Sequence, residues 1–271
     1  MMKKIDVYLT QSLINDDLFL KDKNVVVVDV LRATTTITIA LSNGAREIIP
    51  AESSSTAARI SKGLGKSLLC GERNGNIIEG FNLGNSPFEY KSEVINDKSL
   101  IFSTTNGTVS ITKSRLAKSC VLASFVNLSL AVEHIKSLDG DVIILCSGKL
   151  NNFCIEDAIC TGLIINDLLS DESAKGKYEI DDSAYACLRL GKILATKLGK
   201  PSSAKILDML KESEHGKYLI SLGFSEDLKL CSEIDSYLHL PVFYNGTIKL
   251  PEKIESETSQ KSQLKKIKIS K

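Results

Sequence analysis

The chain has no tryptophan, only three histidines (His134, His215 and His239) and five prolines among its 271 residues. No two histidines stand at metal-ligating spacing, which argues against a histidine-rich transition-metal centre. The seven cysteines (Cys70, Cys120, Cys146, Cys154, Cys160, Cys187 and Cys231) include no Cys-x-x-Cys pair and sit mostly in apolar runs. An odd set of this kind speaks against a disulfide framework or a structural zinc site, so we read them as reduced, small apolar residues without chemistry. No apolar stretch approaches the roughly 20 residues needed to cross a bilayer, and Met1-Met2-Lys3-Lys4-Ile5-Asp6 interrupts any signal-peptide core. The expected location is the cytoplasm. Charge of one sign is lacking too, since 34 Lys and Arg face 33 Asp and Glu. No global field therefore recruits nucleic acid or an anionic membrane, and any anion site must be local. Any metal should be a hard cation held by carboxylates.

What is present is an ordinary globular balance, 43% hydrophobic and 25% charged. The chain reads as one α/β domain over 1–250, followed by a polar Lys/Ser-rich tail over 251–271 that is expected to fray. Val25-Val26-Val27-Val28 is a β-branched run suited to a strand buried on both faces, and it ends at Asp29. The pattern then becomes helical from Thr34, with a threonine as cap and Gly44 as the left-handed stop. Further strands are expected near 46–49, 67–70, 99–103, 120–123 and 141–146, with helices near 53–63, 107–116, 126–137 and 156–169. This alternation predicts a three-layer α/β/α fold with a largely parallel or mixed central sheet. Residues 71–98 read as a long loop and 181–240 as mainly helical. A short strand at 241–244 then turns through Tyr244-Asn245-Gly246-Thr247 into 248–250.

Ligands of such sheets bind beyond the carboxyl ends of the strands. The residues there are Asp29, Arg32, Thr34 and Thr35; Glu72, Arg73 and Asn74; Ser103-Thr104-Thr105-Asn106-Gly107; Ser124 and Asn127; and Cys146-Ser147-Gly148 with Glu156-Asp157 opening the next helix. Carboxylates, arginines and helix starts around one crevice suit a phosphorylated anion bridged by Mg²⁺. Each residue also has a plainer reading. Thr105-Asn106-Gly107 makes a capped turn, Asp29 an ion pair with Arg32, Glu156-Asp157 a first-turn response to the helix dipole, and His215 a helix-end histidine. Known phosphotransfer motifs fail. Gly65-Lys66-Ser67 has Ile60 where a Walker A loop needs its first glycine, and no arginine follows Cys146 or Cys70 by six. Asp29 is followed by Leu31 and Ala33 where Asp-x-Asp-x-Thr would be required.

In combination the motifs are distinctive: Val27-Val28-Asp29-Val30-Leu31-Arg32-Ala33-Thr34-Thr35-Thr36, Gly71-Glu72-Arg73, Glu79-Gly80-Phe81-Asn82-Leu83-Gly84-Asn85-Ser86-Pro87, Thr104-Thr105-Asn106-Gly107-Thr108 and Glu156-Asp157. Together, over about residues 3–250, they resemble the 2-phosphosulfolactate phosphatase family, with His215-Gly216 and Cys231-Ser232-Glu233-Ile234-Asp235 similar to its later blocks. The resemblance implies a Mg²⁺-dependent acid phosphatase that converts 2-phosphosulfolactate to 3-sulfolactate and phosphate, a step of coenzyme M biosynthesis. The departure is Asn151-Asn152, where the family looks richer in glycine, which bears on the substrate more than on the chemistry.

On this reading Asp29, Glu72 and Glu156 are expected to hold Mg²⁺, with Asp157 in reserve. Asp29, Arg32 and Glu156 are the expected catalytic groups. Arg32 and Thr105-Asn106-Gly107 would neutralise the phosphate, Thr34 and Thr35 would line the same strand end, and Arg73 or Asn85 would bind the carboxylate and sulfonate. Attack by water and attack by Asp29 through a phosphoaspartate both stay open. The alternatives are a phosphatase of another small anionic ester and a noncatalytic anion-binding protein. The expected partner is a small-molecule phosphoester, and a homodimer is the default assembly.

Overall fold

The computed structural model describes residues 2–194, 202–252 and 254. The expected tail beyond 254 lies outside the described residues. Among them the strands are β1 (Lys3–Tyr8), β2 (Asn24–Val28), β3 (Glu47–Pro50), β4 (Ser67–Arg73), β5 (Asn76–Ile77), β6 (Ser99–Ser103), β7 (Ser119–Ala123), β8 (Val142–Cys146), β9 (Tyr178–Ile180), β10 (Val242–Tyr244) and β11 (Thr247–Lys249). The helices are α1 (Ala33–Ser42), α2 (Ser54–Leu64), α3 (Ser92–Ile95), α4 (Gly107–Lys113), α5 (Leu128–Ser137), α6 (Ile155–Ser170), α7 (Asp182–Leu194), α8 (Ser203–Glu212), α9 (Glu214–Ser221) and α10 (Ser225–Cys231). No helix is long and apolar enough to cross a membrane.

All strands join one mixed sheet in the order β5-β4-β6-β3-β11-β10-β7-β2-β8-β1-β9. Burial on both faces explains the valine run. Val25 and Val27 pack into one core with α1 and Ile111 of α4, while Val26 and Val28 pack into a second core with α5, α6 and α7. Helices therefore cover both faces, giving the three expected layers.

The sheet consists of two parallel blocks, β4-β6-β3 and β7-β2-β8-β1-β9. The hairpin β10–β11 joins them through antiparallel pairings to β7 and β3. Three successive reversals set the blocks opposite in sense. Each seam is one register pair, Val242 with Val121 and Ile248 with Ile48. The turn has Asn245 and Gly246 both at positive φ, 49° and 80°, as the tightest hairpins require.

Three expectations need correction. The stretch 71–98 is not one loop, because β4 runs on to Arg73 and turns into β5, and a 3₁₀ turn at Pro87–Glu89 precedes α3. Strands β1, β5 and β9 were not expected. β1 reads Lys-Lys-Ile-Asp-Val-Tyr, whose alternation buries only Ile5 and Val7. The N-cap of α1 is Arg32 and not a threonine, and Arg32 makes no capping hydrogen bond.

Candidate active site

Strand β2 delivers Asp29 to the start of α1. Its Oδ1 accepts the Ala33 N–H at 3.0 Å, so the carboxylate supplies the cap that Arg32 does not. The Thr34 hydroxyl meets the carbonyls of Asp29 at 2.7 Å and Ala123 at 2.8 Å, fixing this corner to β7. From the other block, the loop after β6 brings Gly107 against the same carboxylate. A Cβ at Gly107 would fall 2.6 Å from Asp29 Oδ2 and 2.3 Å from the Ala33 Cβ, so only glycine permits this approach. Burial, reinforced by the nearby Glu72 and Glu156 carboxylates and opposed by the Ala33 N–H and His215, pushes the Asp29 carboxyl up to about 6.

Glu72 ties two loops together. Its Oε1 accepts the Thr105 N–H and its Oε2 the Gly75 N–H, each at 2.8 Å. Gly71, just before it, has φ 134° and lies so close to β6 that a Cβ would meet Ser103 O at 1.9 Å. Asn106 braces the far wall, its Oδ1 accepting the Leu150 N–H at 2.9 Å.

Between these loops lies a cavity of about 230 Å³, lined among others by Asp29, Arg32, Glu72, Asn85, Thr105, Gly107, Lys149, His215 and Tyr218. That is below the roughly 300–1,000 Å³ of pockets for drug-sized ligands and suits a molecule of few atoms. Two buried oxygens in its lining, Asn85 Oδ1 and Thr105 Oγ1, have no hydrogen-bond partner within the protein. Buried polar atoms are rarely left so, and in a cavity wall they mark positions where a ligand completes the bonding.

The expected site residues divide. Asp29, Arg32, Glu72, Asn85, Thr105, Asn106 and Gly107 all line the cavity. Arg32 does so as half of a buried ion pair, with Nη1 2.7 Å from Asp227 Oδ2, Nη2 donating to Gly75 O at 3.0 Å, and the guanidinium 4.4 Å above the Phe224 ring. Its partner is Asp227, so the plain reading of Asp29 as an Arg32 ion pair does not hold. Thr34 and Thr35 are fully buried and spend their hydroxyls on backbone carbonyls, Thr35 on Val30 O, so they hold the loop and do not face the cavity. Arg73 turns to Glu72 O and Ser103 Oγ, away from the lining. Asp157 accepts the N–H groups of Val30 and Gly148, which makes it the strut joining the loops after β2 and β8. Burial, then Asp29 and Glu156, push its carboxyl well above the usual range.

Glu156, in the first turn of α6, has its Oε1 3.0 Å from His215 Nδ1. His215 lines the cavity from α9, where the Ser213 side chain caps the helix. Of the expected carboxylates, Asp29, Glu72 and Glu156 do not form one tight cluster. Among the described residues the donor atoms that come within 4.8 Å of one another are those of Cys154, Glu156 and His215. Sequence reasoning passed over Lys149 and Tyr218 and ranked His215 low. Lys149 Nζ sits 4.6 Å from the centre of the Tyr218 ring, and both line the cavity. The sequence signal for this wall is the departure at Asn151-Asn152 from the family's glycines, and the structure places Leu150 and Asn151 at positive φ, 51° and 66°.

A family model described as 2-phosphosulpholactate phosphatase matches residues 8–246. The chain is 37% identical over 247 residues (90% of this chain, 97% of the relative) to a probable 2-phosphosulfolactate phosphatase of Caldanaerobacter subterraneus subsp. tengcongensis. It is 38% identical over 231 residues (85% and 93%) to one of Thermotoga maritima, and 35% identical over 246 residues (90% and 99%) to one of Clostridium acetobutylicum.

Proposed function

From the 2-phosphosulfolactate phosphatase family, to which this chain belongs, we propose that it is a Mg²⁺-dependent phosphoric monoester hydrolase of the cytoplasm that converts 2-phosphosulfolactate to 3-sulfolactate and phosphate, the coenzyme M step. The observation that carries this reading is the cavity where Asp29, the unpartnered Asn85 Oδ1 and Thr105 Oγ1, Arg32 and Lys149 converge. One wall offers acceptor oxygens for a hard cation, and the other offers donors for an anion.

The donor set fits Mg²⁺. This ion takes oxygen ligands, keeps several of its waters and needs only one or two carboxylates. Asp29 through Oδ2 and Asn85 through Oδ1 would hold it directly, with Glu72 reaching it through water because both its oxygens already accept backbone N–H groups. Glu156 belongs to His215 and not to the ion. Bound there, the metal would neutralise phosphate charge and acidify a water.

The chain's own residues supply the rest. Arg32 retains donors for the phosphate beyond the two given to Asp227 and Gly75, and being locked by that pairing it is preorganised. The Thr105 hydroxyl, which has no partner within the protein, would donate to the same oxygens. Asp29 orients the attacking water. His215, held at Nδ1 by Glu156, presents Nε2 as the proton donor to the leaving alcohol oxygen, since an unassisted alkoxide is a poor leaving group. Lys149 takes the second negative group of the substrate, the role expected for Arg73 or Asn85, because Arg73 turns to Glu72 O and Ser103 Oγ.

The test is phosphate release from 2-phosphosulfolactate beside a panel of small phosphoesters, each with Mg²⁺ and with chelator. Selective, Mg²⁺-dependent release is expected. Release from a different ester would move the substrate, and silence across the panel would overturn the phosphatase reading.

A further inference from the structure

We propose that Cys154, Glu156 and His215 form a three-ligand site for a borderline-soft divalent cation such as Zn²⁺, distinct from the hard-oxygen set around Asp29. Cys154 is the N-cap of α6 and Glu156 lies in its first turn, while His215 arrives from α9. One donor atom from each falls within 4.8 Å of the other two. The closest pair, Glu156 Oε1 and His215 Nδ1, are 3.0 Å apart.

Ligand atoms around a tetrahedral zinc, with bonds of about 2.0–2.3 Å, stand about 3.3–3.8 Å apart. The closest pair therefore needs to part by a few tenths of an ångström. The donor types select the ion. A sulfur, a nitrogen and one carboxylate oxygen favour zinc, cobalt or ferrous iron, whereas Mg²⁺ has little affinity for sulfur or imidazole. Cys154 and Glu156 are 7% and 1% exposed, so the ion would be shielded on the protein side. A second cavity of about 320 Å³, lined by Asn152, Phe153 and Glu214 along with the three ligands, gives access and room for a fourth ligand from solvent. Three protein ligands with one open position is the pattern of exchangeable zinc sites, not of closed structural ones.

Binding involves no redox change. The thiol proton and the proton shared by His215 and Glu156 pass to solvent as the metal bonds form. A metal there would engage His215 Nδ1 and Glu156 in place of their pairing with each other, so Zn²⁺ would inhibit turnover however much Mg²⁺ is present. The other six cysteines join no such group among the described residues.

The experiment is titration of the metal-free full chain with Co²⁺, which reports thiolate ligation through a sulfur-to-cobalt charge-transfer band in the near ultraviolet, followed by displacement with Zn²⁺. We expect one equivalent to give the band, Zn²⁺ to abolish it and excess Mg²⁺ to leave it. Cys154→Ser should lose the band while keeping its circular dichroism. His215→Gln should keep the band but weaken the affinity by about tenfold or more. A missing thiolate band with the wild-type chain, an equal band in Cys154→Ser, or unchanged affinity in His215→Gln would each overturn the assignment. None of these readouts depends on phosphatase activity.

Discussion

Arg32 and Asp227 form a buried ion pair at 2.7 Å, with side chains only 2% and 3% exposed, and it bolts the loop after β2 to α10 across 195 residues of sequence. Asp227 also accepts the Ser86 hydroxyl at 2.7 Å, so three segments meet at one carboxylate. Truncation of Arg32 would leave that carboxylate buried and unpaired, which typically costs about 3–5 kcal/mol. Arg32→Ala should therefore lose stability as well as turnover. Urea denaturation checks the first, and a double variant with Asp227→Asn should recover much of the stability but none of the turnover.

The metal-free protein should become less stable as pH rises from about 4 to 6. The Asp29 carboxyl is raised to about 6 when folded, so over this window the folded chain holds a proton that the unfolded chain has released. The contribution is full below the unfolded value of 3.8 and is lost as pH climbs through the folded one, amounting to on the order of 2–3 kcal/mol. Asp29→Asn should flatten that slope, with Asp157 supplying what remains, and should abolish hydrolysis. Denaturation midpoints with chelator from pH 4 to 7 would show it, and an equal slope in the variant would refute the assignment.

Gly107→Ala tests the approach of the two blocks. The added methyl meets Asp29 Oδ2 and the Ala33 Cβ, and displacement of about 1 Å at a catalytic group can cost on the order of 10²-fold in rate. Turnover should fall by that order. A variant as active as the parent would mean that Asp29 does not need this position.

Lys149→Ala should raise KM by roughly 10- to 100-fold, the cost of about 1.5–3 kcal/mol for a charged hydrogen bond, with little change in kcat. A phosphoester lacking the second negative group should be hydrolysed equally well by both proteins. Loss of kcat instead would place Lys149 at the phosphate.

Cys154 occupies the N-cap of α6 in an extended conformation but makes no capping hydrogen bond. Serine there can accept one from the first turn, so Cys154→Ser should raise the thermal midpoint of the metal-free chain, by about 0.5–1 kcal/mol of stability.

Much of this architecture is legible in the sequence, because the β-branched runs at 25–28 and 142–146 must be buried on both faces and the polar residues after them must collect at the strand ends. The hairpin at Asn245-Gly246 is legible for the same reason, since its turn chemistry is local. What is not legible depends on pairing across distance. Nothing near Arg32 names Asp227 as its partner, nothing near Glu156 names His215, and the alternation of β1 is too short to separate from noise. Thr34, Thr35, Arg73 and Asp157 have residue types that serve a ligand or a backbone equally well, and only their placement decides that they brace loops.

The hairpin β10–β11 lies almost at the end of the described chain, yet it seals β3 to β7 and so the two blocks whose loops form the cavity. A ribosome must therefore have released everything up to Lys249 before this seam can close. Until residues 242–249 emerge, β3 and β7 are open edges. Synthesis stalled before Val242 would leave both edges open to pairing with other chains.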